Sequence, residues 1–291
     1  MVHIPVLKDE ILGYLSPRPG DRIIDGTLDG GGHTHAFLEK VAPNGMVLGI
    51  EQDARMIDAL KSKIRASDDA VWKNLVIAEG NFRNIDSIAH KNSFDIVQGI
   101  LFDLGMSTWH LKESGRGFSF QKPDEPLLMN LNSSESESAA ALLSSLPEKE
   151  LEHIFREYGE ERRSRLIARS IIIERKKRKI LSVNDLITAI RIRDRKALAR
   201  IFQALRIAVN DELEALREGI KNGIAILAPG GMLAIISYHS LEDRIVKQLF
   251  NTYVKTGTGV LVTKKPITPD REEMRENPSS RSAKLRIIKK I

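Results

Sequence analysis

The sequence predicts an α/β protein in which a parallel sheet carries helices on both faces and a helical segment interrupts the chain. Strand-like and helix-like patterns alternate through residues 21–103 and return after residue 210, and this alternation is typical of parallel sheets. Residues 139–208 contain only helical patterns. We therefore expect one α/β domain, residues 1–108 and 207–291, with an inserted helical domain at residues 109–206.

The first part of the α/β domain has four predicted strands. Three consecutive glycines follow the first strand, a Pro-Asn-Gly turn precedes the second, and the fourth is almost wholly apolar before it ends at Asp103. The predicted order is strand 21–27, helix 34–41, strand 46–51, helix 54–66, strand 75–78, helix 85–90 and strand 94–102.

The helical insert begins after a segment rich in glycine, serine, proline and asparagine at residues 114–132. Ser182 is a favoured N-cap and starts one of its helices. The others are predicted at residues 146–158, 162–179 and 195–207.

The last part returns to the α/β pattern. The predicted order is helix 211–227, turn 229–231, strand 232–237, helix 241–254, a polar loop at 257–277 and a final strand at 284–288.

Composition limits the class of protein. With 42% hydrophobic and 29% charged residues among 291, the chain has globular values. No apolar run approaches the ~20 residues of a membrane span, and the first residues lack a signal-peptide pattern, so we expect a cytoplasmic protein without membrane contact. The absence of cysteine excludes disulfides, cysteine metal sites and a covalent cysteine nucleophile. We predict no metal site.

Basic residues are concentrated in the insert. Residues 162–206 contain 15 Lys or Arg and three acids. A second basic cluster lies at the C-terminal end, and the net charge of the whole chain is +6. Each side chain alone is most simply part of a solvated helix face. The span as a whole favours a surface that faces a polyanion.

Polar groups and glycines follow the ends of the predicted strands. They are Gly30 to Gly32, Glu51, Asn81 with Phe82, and Asp103. Ligands of parallel sheets bind at this edge, and an acid after the second strand can accept hydrogen bonds from the hydroxyls of a ribose. We interpret His33 as the end of the loop, with the helix starting at Thr34. Because the glycines also lack the dinucleotide spacing, S-adenosylmethionine is favoured over NAD.

Several motifs then occur in one order along the whole chain. They include Asp25-Gly26-Thr27, Gly31-Gly32-His33, Leu101-Phe102-Asp103-Leu104-Gly105, Arg116-Gly117-Phe118-Ser119-Phe120 and Ser237-Tyr238-His239-Ser240-Leu241-Glu242-Asp243-Arg244. In these motifs the chain resembles the bacterial S-adenosylmethionine-dependent N4-methyltransferases of 16S ribosomal RNA, which modify a cytidine in the decoding region. The resemblance implies a Rossmann-like class I methyltransferase sheet, interrupted by an all-helical substrate-recognition domain.

The resemblance also implies site residues. Its cofactor contacts fall on Gly31, Gly32, His33, Glu51, Phe82, Asp103 and His110. This chain departs from the family pattern at Asp29, where glycine is usual, at Glu51 for aspartate and at His110 for glutamine. It also has Leu128 and Asn130 where the family has an acid and a base. An alternative is therefore a weakened or inactive member that binds RNA or the ribosome.

Asp103 is the predicted catalytic residue, since a hydrogen-bond acceptor on the cytosine amino group would localise its lone pair. Methylation at C5 would need a cysteine, which the chain lacks. The candidate RNA contacts are Arg116, Arg244 and Arg281 for phosphates and Phe118 and Tyr238 for base stacking. Packing between domains is the alternative for both aromatic residues, and a structural hydrogen bond is favoured for His239.

The implied partners are 16S ribosomal RNA or the small ribosomal subunit, and a homodimer is possible. A small-molecule methyltransferase is a further hypothesis, which tight, salt-dependent RNA binding would oppose.

Overall fold

The computed structural model describes residues 5–132 and 138–291. The chain forms two compact units, Met1–Gly105 with Leu213–Ile291, and Met106–Glu212. The second unit thus interrupts the first in the sequence. Its boundaries fall after residues 105 and 212, whereas the sequence pattern placed them after residues 108 and 206.

The first unit contains a seven-stranded sheet in the order β3-β2-β1-β4-β5-β7-β6. The strands are β1 Arg22–Asp25, β2 Met46–Glu51, β3 Leu75–Glu79, β4 Val97–Asp103, β5 Leu227–Ser237, β6 Gly259–Leu261 and β7 Lys284–Lys290. The pairs among β1 to β5 are parallel, as the alternation predicted, and β7 is antiparallel to both of its neighbours. The predicted α/β fold class is confirmed.

Thirteen α-helices lie in the described residues. They are α1 Lys8–Leu15, α2 Gly32–Val41, α3 Ala54–Arg65, α4 Ile85–Lys91, α5 Thr108–Lys112, α6 Ala139–Ser145, α7 Glu148–His153, α8 Ser164–Arg175, α9 Val183–Ile190, α10 Arg195–Asn210, α11 Glu212–Ile226, α12 Ser240–Lys255 and α13 Arg271–Glu276. Among the described residues, no helix has the length and apolarity that crossing a bilayer requires.

Alternate residues of the central strands explain the two-sided core. Ile100 and Phe102 pack in one buried cluster, while Leu101 packs in a second. Successive side chains of a strand point to opposite faces, so both faces of β4 are covered by apolar groups. The second unit has its own buried cluster, to which helices α6 to α10 contribute.

Three sequence predictions are wrong in detail. Helix α2 begins at Gly32, two residues before Thr34. The predicted turn at 229–231 is a bulge inside the single strand β5, where the pairing with β4 skips residues 228–231. The predicted loop at 257–277 contains β6 and α13, which are only three and six residues long and carry little periodic signal.

Candidate functional site

The ends of three neighbouring strands bring the predicted site residues to one edge of the sheet. β1 lies between β2 and β4 in the sheet, and all three run in the same direction. Glu51 ends β2, Asp103 ends β4, and the glycine segment follows β1. Parallel strands therefore place these groups at the edge where such sheets bind ligands.

The glycine loop has a tightly enclosed backbone. Gly31 is the N-cap of α2 and has φ +76°, in the left-handed region. A Cβ atom at this position would lie 3.0 Å from Cδ1 of Leu60 and 3.2 Å from Cη2 of Trp72. The Lys63 ammonium donates a hydrogen bond to the carbonyl of Gly30 over 3.2 Å. A side chain at Gly31 would therefore strain the backbone and also require Leu60 and Trp72 to shift.

The helix start at Gly32 corrects the argument against a dinucleotide. We expected the loop to continue through His33, but α2 begins directly after Gly31. A helix N-terminus, which attracts anions, is therefore present after the glycines. The preference for S-adenosylmethionine over NAD then depends on the glycine spacing and on the surrounding acids.

Glu51 is buried and its carboxylate is held by backbone groups. Oε2 accepts a hydrogen bond from the Asp29 amide over 3.1 Å, and Oε1 accepts one from the Asp53 amide over 2.8 Å. Burial raises the pKa of Glu51 to about 7, although these two amides oppose the shift. The carboxylate thus joins the glycine loop to the start of α3.

Asp103 lies at the centre of a polar network. Its backbone amide donates to Oγ1 of Thr27 over 2.7 Å, and its Oδ1 accepts from the Gly105 amide over 3.2 Å. Nε2 of His33 lies 3.6 Å from Oδ2 of Asp103, and both side chains are more than nine-tenths buried. Tyr238 lies beside this carboxylate, and burial followed by the charge of Asp103 raises the pKa of its phenol well above the usual value.

Asp25 supports the network from β1. Its Oδ2 accepts from the Thr34 hydroxyl over 2.6 Å, and its Oδ1 accepts from the Thr27 amide over 3.2 Å. Burial raises the pKa of Asp25 to about 6, and the neighbouring His33 opposes the shift. The sequence did not single out Thr27 or Thr34 as functional. Their place follows from the register that pairs Asp25 with Leu101, two residues before Asp103, and that register is seen only in the structure.

The residues present fit S-adenosylmethionine. Nε2 of His33 is buried without a hydrogen-bond partner, and a ligand could supply one. Asp29 has φ +42°, and burial followed by the nearby Glu51 raises its pKa well above the usual value. Acids gathered in this way suit a cofactor with positively charged sulfonium and ammonium groups. The cofactor roles of Gly31, Gly32, His33, Glu51 and Asp103 remain predictions.

Phe82 is half-buried beside this edge. Its ring centroid lies 4.8 Å from that of Phe102, and a Cβ atom on Gly219 would lie 2.6 Å from its Cδ2. Asn81 caps the short 3-10 helix that carries it. Contact with an adenine remains a prediction for this residue.

Three predicted site residues are buried in the second unit. His110 lies 5.6 Å from Phe118 between ring centroids. The Arg116 guanidinium donates to the carbonyls of Asn130 and Leu131, and Phe118 belongs to the hydrophobic core of this unit. Arg116 and Phe118 are 3% and 6% exposed, and the phosphate contact and the base stacking remain predictions for them.

The remaining predicted residues lie in the first unit. Arg244 is exposed on α12, and Arg281 is exposed on the 3-10 helix Pro278–Ser282. His239 is the N-cap of α12, where its Nδ1 accepts from the Glu242 amide over 3.4 Å. The structural hydrogen bond predicted for His239 is confirmed.

Comparison with known proteins identifies the family. The model of the MraW methylase family matches residues 1–291. The chain is 41% identical to "Ribosomal RNA small subunit methyltransferase H" of Heliobacterium mobile, over 99% of each chain. It is 40% identical to the protein of that name from Persephonella marina, over 99% of each chain. It is 41% identical to that from Thermomicrobium roseum, over 99% of this chain and 94% of the other. The chain therefore belongs to the MraW methylase family.

Proposed function

We propose that this protein transfers a methyl group from S-adenosylmethionine to the exocyclic N4 of a cytidine in the decoding region of 16S ribosomal RNA. Membership of the methylase family and relatives named for ribosomal RNA small-subunit methylation support the proposal. The observation that carries the catalytic assignment is the Asp103 carboxylate, buried at the end of β4 among fixed hydrogen-bond donors.

The residues around the glycine loop would hold the cofactor. When bound, S-adenosylmethionine supplies an electrophilic methyl group. Gly31 and Gly32 lie at the start of α2, where backbone N–H groups can bind a ligand, Glu51 offers carboxylate oxygens to a ribose, and Phe82 offers a ring face to an adenine. His33 offers its buried Nε2 as a hydrogen-bonding group.

Asp103 would act on the nucleophile. The amino nitrogen of cytosine is a poor nucleophile because its lone pair is delocalised into the ring. A carboxylate that accepts a hydrogen bond from this amino group localises the lone pair on nitrogen. Asp103 can accept such a bond and then take up the proton released by N-methylation, because its backbone and Oδ1 are already held in place.

An RNA substrate also agrees with the charge of the protein. The net charge is +6, and exposed basic side chains cluster on α8 and next to its ends. Basic surfaces attract the phosphate backbone irrespective of sequence. We further propose that the assembled small subunit is the substrate form, which would place the protein in the cytoplasm.

A methylation assay tests this function. Small subunits that lack the modification would be incubated with radiolabelled S-adenosylmethionine, and the labelled nucleoside would be identified after digestion. We expect N4-methylcytidine from the wild type and a loss of about 100-fold or more in kcat for Asp103→Ala. RNA affinity should be retained in that variant.

The matched control is Asp58→Ala, which removes an exposed carboxylate from α3 and should leave the rate unchanged. Wild-type turnover by Asp103→Ala would contradict the role of Asp103. RNA binding without any methyl transfer by the wild type would instead indicate an inactive RNA-binding protein.

A further inference from the structure

Tyr238 lies on the strand next to Asp103. The register of β4 and β5 pairs Asp103 with Ile236, and Tyr238 follows two residues later. A Cβ atom built on Gly105 would lie 2.9 Å from Cε2 and 3.0 Å from Cζ of Tyr238, and 3.2 Å from Oδ1 of Asp103. The hydroxyl end of the ring and the carboxylate therefore both border the space above Gly105.

The backbone that carries this phenol is fixed by the start of α12. Oε2 of Glu242 accepts hydrogen bonds from the Tyr238 amide over 2.8 Å and from the His239 amide over 3.2 Å. Glu242 is 4% exposed and belongs to the capping box of α12. The backbone from which the tyrosine ring projects is thus held in place.

The phenol is suited to donate and not to act as a base. Burial raises the pKa of Tyr238 well above its usual value, and the nearby Asp103 carboxylate raises it further. The hydroxyl therefore keeps its proton over the pH range of an ordinary assay. The Gly105 amide already donates to Oδ1 of Asp103, and the phenol is a second donor available beside the same carboxylate.

We propose that Tyr238 is a positioning residue, whose hydroxyl holds the Asp103 carboxylate in the orientation needed to accept the amino hydrogen of the substrate. The inference rests on the role proposed above for Asp103. It differs from the stacking contact that the sequence suggested for Tyr238, because it assigns the function to the hydroxyl and not to the ring. Geometric fixation of a reacting group is a major source of rate enhancement.

The test compares Tyr238→Phe with Tyr253→Phe, a matched loss of a half-buried hydroxyl from α12. We expect Tyr238→Phe to lower kcat by about 10- to 100-fold, the range for a hydrogen bond to a charged group. KM for the RNA substrate and Kd for S-adenosylhomocysteine should stay within about twofold of the wild type. Tyr253→Phe should match the wild type in all three.

A double-mutant cycle with Asp103→Asn makes the result specific. If the hydroxyl acts through Asp103, Tyr238→Phe should have no further effect on the residual rate of Asp103→Asn. Gly105→Ala is a second variant, because its added methyl would push the tyrosine ring from the carboxylate; it should lower kcat in the same way. Each variant tests the inference separately, so the result for one of them can be used if the other folds poorly.

The outcomes separate this inference from the proposed function. A slow Asp103→Asn with a wild-type Tyr238→Phe would overturn only the role of Tyr238. A raised KM for RNA in Tyr238→Leu, with wild-type kinetics in Tyr238→Phe, would overturn it in favour of base stacking. A wild-type rate for Asp103→Asn would overturn the proposed function itself.

Discussion

At the scale of single residues, the glycine loop of the site depends on Gly31, a position with little space for a side chain. Gly31 combines a left-handed backbone with close neighbours, since Leu60 and Trp72 occupy the space that a Cβ atom would enter. A positive φ alone strains any residue with a side chain. At Gly31 the packing of α3 and of the 3-10 helix Ala70–Asn74 adds to that strain.

The variant Gly31→Ala measures the two contributions. We expect it to lower the free energy of unfolding by about 1–3 kcal/mol, since backbone strain and overpacking act together. It should also weaken S-adenosylhomocysteine binding in calorimetry and shift the fluorescence of Trp72.

The matched control for this variant is Gly20→Ala. Gly20 has φ +92°, but nothing lies within 4 Å of a Cβ atom there. This control should show the loss of stability due to backbone strain alone, with unchanged binding. Equal losses in the two variants, with equal binding, would contradict the packing argument.

At the scale of elements, the structure separates basic residues that hold the second unit together from those that face solvent. Arg175 donates to the carbonyls of Leu143 and Leu146, and Arg200 pairs with the buried Glu161. These arginines stabilise the helical packing. A count of charges along the sequence cannot distinguish them from exposed ones.

Helix α8 presents an exposed face with both basic and apolar groups. Arg165 and Arg169 are exposed on it, and Leu166 and Ile173 are 68% and 47% exposed. These four side chains lie on one side of the helix because of its 3.6-residue period. We call this set the α8 face, and its composition suits contact with RNA phosphates and bases.

The double variant Arg165→Gln/Arg169→Gln tests the α8 face. We expect weaker RNA binding and a salt dependence, log K against log salt, whose slope falls by about 1 for each lost phosphate contact. Filter binding at several salt concentrations would measure both.

The control for the α8 face removes two exposed basic residues from α3, Lys61→Gln/Arg65→Gln. It should leave the slope unchanged. If both double variants lowered the slope equally, net charge and not the α8 face would control RNA binding.

At the scale of the whole molecule, buried acids make stability depend on pH. The pKa of Glu51 is raised to about 7 and that of Asp25 to about 6 by burial. Between the usual pKa and the raised one, the folded protein keeps a proton that the unfolded chain releases. Stability contributed by these groups is therefore present at low pH and falls as pH rises through these windows.

Glu51→Gln isolates one of these groups. Between pH 4.5 and about 7 the wild type should lose about 1–3 kcal/mol of unfolding free energy relative to this variant. Urea unfolding at several pH values, without cofactor, would measure the difference. Glu79→Gln removes an exposed carboxylate at the end of β3. Its unfolding free energy should change with pH in the same way as that of the wild type. A constant difference between Glu51→Gln and the wild type would contradict the prediction.

The fold class, the order of the central strands and helices, and the edge at which the site residues lie could all be predicted from the sequence alone. These follow from local patterns, since apolar strands, glycine turns and helical periods are written in neighbouring residues. Family membership was also predictable, because the motifs around Asp25, Asp103 and Tyr238 stand in one order.

Which side chains lie next to one another is visible only in the folded protein. The antiparallel β7, the closeness of Trp72 to Gly31 and the contact of Tyr238 with Asp103 join residues far apart in the chain. Likewise, the burial of Arg116 and Phe118 is a property of the folded chain that the motif containing them does not reveal. Burial and pairing depend on packing between distant segments, and no local pattern of residues encodes them.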